Sequence, residues 1–91
     1  MEDRKVFLMP RVKEAEFPAL RALMKNELGF PATFDQWHVY WATRQQQEQA
    51  KGFKPAYLDV SVTAFQLFLA ARKTDASWAA LAAYMAAIAY R

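Results

Sequence analysis

Cysteine is absent, histidine occurs once and glycine twice in a chain of 91 residues. The first absence excludes a disulfide framework, thiolate nucleophiles and thiolate metal sites. The second leaves His38 as the lone imidazole, with no close pair of acidic residues in a metal-ligand spacing. The third excludes a glycine loop that cradles phosphate, because Gly29 and Gly52 stand alone and each reads as a helix stop. Long apolar runs are missing too. Met1-Glu2-Asp3-Arg4-Lys5 followed by the short stretch Val6–Met9 does not make a signal peptide. The uncharged run Ala76–Tyr90 falls short of the roughly 17–25 residues that span a bilayer. These absences predict a cytoplasmic protein with no metal, no cofactor and no membrane association.

What the chain does have is apolar bulk. Hydrophobic residues make up 55% and aromatics 15% of it, enough to offset the backbone entropy of ordering and to exclude intrinsic disorder. The length predicts a single domain, residues 1–91, and a domain this small leaves some of those aromatics at its surface. Association with a second copy would cover them. Twelve basic and nine acidic residues give a net charge of +3, but the signs are interspersed, as in Glu2-Asp3-Arg4-Lys5 and Arg11-x-Lys13-Glu14-x-Glu16. Mixed signs describe an ordinary solvated surface more than a phosphate-binding footprint.

The apolar periodicity predicts a mostly α fold of about four helices, with one short two-stranded β element formed by residues 6–9 and 57–60. A first helix is expected over Glu14–Leu28, starting near Pro18, with Phe17, Leu20, Met24 and Leu28 on its core face. Gly29 and Pro31 end it. Thr33-Phe34-Asp35-Gln36 matches a capping box and opens a second helix to about Lys51. Its first turns, Phe34, Trp37, His38 and Trp41, should be buried, while the amide-rich stretch Gln45–Gln49 projects into solvent. A third helix is capped by Ser61 or Thr63 and buries Val62, Phe65, Phe68 and Leu69, with Arg72 on the same broad face. Thr74 or Asp75 should start the last helix, which runs to Tyr90.

Chemistry is hard to place on this pattern. His38 follows Asp35 by three residues, yet a carboxylate in the first turn of a helix already suits the dipole, and no serine or second histidine stands near it. Phe34, Trp37, Tyr40 and Trp41, flanked by Arg44 and Lys51, have the makings of a base-stacking platform, but three of the four fall on one helical stripe and read as core. The sequence therefore predicts a protein that is not an enzyme.

The strongest single pattern is Trp78, Leu81, Met85 and Ile88, spaced 3-4-3 in a background of alanine. Two heptads are too few for a free-standing coiled coil. If this seam serves the domain's own core, the remaining faces of the helix are alanine and not charge, an unusually apolar exterior. The expectation is a non-catalytic protein–protein interaction module, homodimeric through this Ala-rich C-terminal helix with Trp78, Leu81, Met85 and Ile88 as interface. The rival is a nucleic-acid-binding role resting on Arg44, Lys51, Lys54, Arg72 and Lys73.

Phe34-x-x-Trp37 together with Val62-Thr63-Ala64-Phe65-Gln66-x-Phe68 resembles short accessory proteins encoded by phages, plasmids and other mobile elements. The likeness covers residues 34–71 and departs at Phe68, where such proteins carry tryptophan. It implies a genomic setting, and a mobile-element accessory role for the nucleic-acid reading, but no mechanism.

Overall fold

The computed structural model describes residues 6–90, so the charged segment 2–5 lies outside the described residues. Two strands, β1 (Val6–Arg11) and β2 (Lys54–Asp59), pair in parallel with Val6 opposite Lys54 and Arg11 opposite Asp59. Both are longer than the expected 6–9 and 57–60, and both contain a proline. The register explains why this is tolerated. Val60 N–H donates to the Arg11 carbonyl at 2.8 Å, so Arg11, Met9 and Phe7 turn their main-chain groups toward β2. Pro10 then faces the outer edge of β1, and by the same alternation Pro55 faces the outer edge of β2. Neither removes a ladder bond, and each blunts an edge that would otherwise present an N–H to another strand.

A parallel pair needs a crossover, and here it contains two helices. A 3-10 turn over Glu14–Glu16 leads into α1 (Phe17–Leu23), with Pro18 in its first turn. The helix is shorter than the expected Glu14–Leu28, and Leu28 is 95% exposed. The reason lies two residues on. Gly29, at φ +81°, reverses the chain so that Phe30 returns to stack on Phe17, with ring centroids 6.1 Å apart and planes at 14°. An aromatic ring there buries more surface than Leu28 could, so the helix gives way to turns.

Helix α2 (Phe34–Ala50) begins as predicted. Thr33 Oγ1 accepts from Gln36 N–H at 3.1 Å, and Gln36 Oε1 reaches back to accept from Ala32 N–H at 2.9 Å. Removing the hydroxyl in Thr33→Ala is expected to cost about 0.5–2 kcal/mol, read as a lower melting temperature in far-UV circular dichroism. Trp37 and Trp41 are buried, Phe34 and Tyr40 half-buried. His38 is exposed, contrary to expectation, because it sits beside the buried stripe, where its ring meets Phe34 edge to face with centroids 4.5 Å apart. The helix stops before Gly52, which takes φ +93°.

Helix α3 (Val62–Arg72) is capped by Ser61, whose Oγ accepts from Ala64 N–H at 3.2 Å; Thr63, the other candidate, lies inside the helix. Helix α4 (Trp78–Ala89) is capped by Ser77 and not by Thr74 or Asp75. Phe65, Leu69 and Tyr84 join α3 to α4 in the core, with Phe65 and Tyr84 5.5 Å apart. Trp37, Trp41, Phe30 and Trp78 form the aromatic half of the same core.

Two helix starts share one construction. Ser61 satisfies Ala64 N–H from within the turn, and Glu16 Oε1 accepts from Val62 N–H at 3.1 Å from far away in sequence. Ser77 does the same for Ala80 N–H, and Glu27 Oε1 accepts from Trp78 N–H at 3.1 Å. The crossover segment thus supplies a carboxylate to the positive end of each C-terminal helix.

Candidate functional site

Four residues carried the interface expectation, and the structure separates them. Leu81 is 1% and Met85 5% exposed, both in the domain's own core. Trp78 is half-buried, stacked on Tyr40 with centroids 5.0 Å apart and planes at 14°. Ile88 is half-buried near the helix end. Leu81 and Met85 are therefore core residues, because α3 and β1 pack against α4 while Tyr40 and Trp41 of α2 close on Trp78. The exposed side of α4 is instead Ala79, Ala82 and Ala83, continued by Tyr90 just past the helix end. Helical spacing puts Ala79, Ala83, half-buried Ala86 and Tyr90 in one line.

The five basic residues of the nucleic-acid reading are all exposed. Lys51 is paired with Glu48 at 3.1 Å, and Arg72 lies over the Phe68 ring at 4.6 Å. Arg44 lies 5.7 Å from the centre of the Phe7 ring. The stacking platform is not presented as a unit, since Trp37 and Trp41 face inward. Lys51 and Lys54 sit around the turn between α2 and β2, and Arg72 and Lys73 at the far end of α3.

Among the described residues no group of three or more His, Asp or Glu is gathered as for a metal, and no Asp, Glu, Lys, Arg, His, Asn, Gln, Ser or Thr is buried. No helix there is long and apolar enough to cross a membrane. His38 borders a cavity of about 300 Å³ with Trp37, Trp41, Gln45 and Tyr57, in which Tyr57 Oη donates to Gln45 Oε1 at 3.0 Å. Among the described residues no hydroxyl or carboxylate is hydrogen-bonded to His38 there.

A second concavity, of about 510 Å³, runs between β1, α2 and α4. Phe7, Tyr40, Trp41 and Trp78 line it, Leu81 and Met85 form part of it, and among the described residues Arg44 is the one charged residue on its wall. Sequence reasoning missed this groove. Tyr40 and Arg44 share a face of α2 at i, i+4, but nothing in the chain says that Trp78 stacks against that face. Comparison with protein families, curated proteins and solved structures gives no match.

Proposed function

We propose that the protein is a non-catalytic interaction module that pairs with a second copy of itself across the outer face of α4. The observation that carries this reading is the composition of that face. From Trp78 to Ala89 there is no charge, and the side turned to solvent is alanine ending at Tyr90, which is 72% exposed. Surface helices ordinarily place charge there, whereas small side chains let two helices approach closely. A two-fold arrangement would set the line Ala79, Ala83, Ala86 and Tyr90 against itself, since a self-complementary face is what closed dimers use. The setting that goes with this reading is the cytoplasm, which a chain without cysteine suits.

Solution mass tests it. Wild-type protein is expected to run as a dimer in light scattering, and Ala83→Glu, a change at an exposed position, as a folded monomer. A wild type that stays monomeric at high concentration would refute the reading. Repeating the measurement with DNA at two salt concentrations addresses the alternative, a nucleic-acid-binding accessory protein of a mobile element acting through Arg44, Lys51, Lys54, Arg72 and Lys73. A complex that forms at low salt and dissolves steeply as salt rises would favour that role.

A further inference from the structure

We infer that the groove between β1, α2 and α4 is a binding site for a small aromatic carboxylate. Its volume of about 510 Å³ lies within the usual range for small-ligand sites. Tyr40 and Trp78, stacked on each other with centroids 5.0 Å apart, join Phe7 in giving the groove an aromatic lining against which a planar ring packs. The outward line of α4 proposed for pairing is separate, because only Ala82 of the exposed alanines reaches the groove.

Two observations specify the charge of the occupant. Among the described residues Arg44 is the single charged one lining the groove, and no carboxylate of theirs pairs with it. Its guanidinium lies near the Phe7 ring at the groove wall, where its fork of donors suits a carboxylate bidentately. The second observation is on the next turn of the same helix. Trp41 is 9% exposed, lines both this groove and the cavity beside His38, and among the described residues its Nε1–H has no hydrogen-bond acceptor. An indole nitrogen only donates, so a buried one without an acceptor is uncommon. Trp41 and Arg44 are three residues apart on α2 and therefore neighbours on its surface. One carboxylate entering beside them supplies the acceptor that Trp41 lacks and the anion that Arg44 lacks. Nε1 is shut off from solvent, so the carboxylate reaches it only if the Trp41 ring turns toward the groove.

The three tryptophans give three indole N–H signals in a nitrogen-15 NMR spectrum, and that of Trp41 is assigned with Trp41→Phe. Titration with 2-naphthoate is expected to move the Trp41 signal saturably. The neutral isostere 2-naphthalenemethanol should bind at least tenfold more weakly, and Arg44→Gln should remove that preference for the acid. Ala82→Trp, at an exposed position that fills the groove, should abolish the shift, whereas Ala83→Glu should bind as wild type does. The last variant separates this inference from the pairing of α4. No saturable shift at millimolar 2-naphthoate would overturn the inference, as would equal affinity for acid and alcohol, or binding that survives Ala82→Trp.

Discussion

Leu81→Asp is expected to unfold the protein and not merely to dissociate a dimer. Leu81 is 1% exposed and packs in a core whose buried members are all apolar. Removing its branched end alone, as in Leu81→Ala, should cost about 2–5 kcal/mol through lost transfer energy and the cavity left behind. Aspartate adds a charge with no buried partner, a penalty of several kcal/mol more unless the carboxyl is protonated. Small domains hold together by about 5–15 kcal/mol in all, so the sum removes most or all of the margin. Far-UV circular dichroism at 25 °C should show loss of helix in Leu81→Asp. Leu81→Ala should remain folded with a lower midpoint in urea. A folded, monomeric Leu81→Asp would instead return the side chain to an interface and reverse its placement in the core.

That contrast shows what apolar periodicity can and cannot say. The 3-4-3 spacing of Trp78, Leu81, Met85 and Ile88 marks the side of α4 that must be covered. It carries no information on what covers it. Tyr40 and Trp41 of α2 cover Trp78, and β1 packs against the same helix, all far away in sequence. Four helices and a short two-stranded element follow from local signals alone, and the start of α2 is legible because both halves of its capping interaction lie within five residues.

Other boundaries depend on distance. Thr74, Asp75 and Ser77 are all good cap types, and Ser77 is selected where Glu27 meets Trp78 N–H from across the fold. Leu28 fits the helical period of α1, yet Phe30 competes for the same space and wins on buried area. The parallel sense of the strands is likewise absent from their composition. For the candidate sites, the apolar exterior of α4 was foreseeable from its alanines once the seam was assigned to the core. The groove was not, because its two walls meet only in the folded chain.

The paired carboxylate caps allow the second large effect to be predicted. Glu16 and Glu27 sit on the segment before α2, yet each holds the first amide of a helix in the second half of the chain. Both bonds are partly buried, so an amide stripped of its acceptor is not fully compensated by water. Glu16→Ala and Glu27→Ala should each cost about 1–2 kcal/mol, combining loss of a charged acceptor with loss of a favourable dipole contact. The two act on different helices, so the double variant should lose about 2–4 kcal/mol, close to the sum. For a domain of this size that corresponds to a melting temperature lower by about 8–32 °C. Glu16→Gln and Glu27→Gln keep an acceptor oxygen and give up the charge, and should cost only about 0.3–1 kcal/mol each. Glu14→Ala, exposed and outside both bonds, should stay within about 0.5 kcal/mol of wild type. If the alanine variants melt with Glu14→Ala, the two helix starts stand on their serines alone, and the segment before α2 does not organise the C-terminal half. If they melt well below it while the glutamine variants do not, the acceptor oxygen carries most of the effect and the charge is secondary.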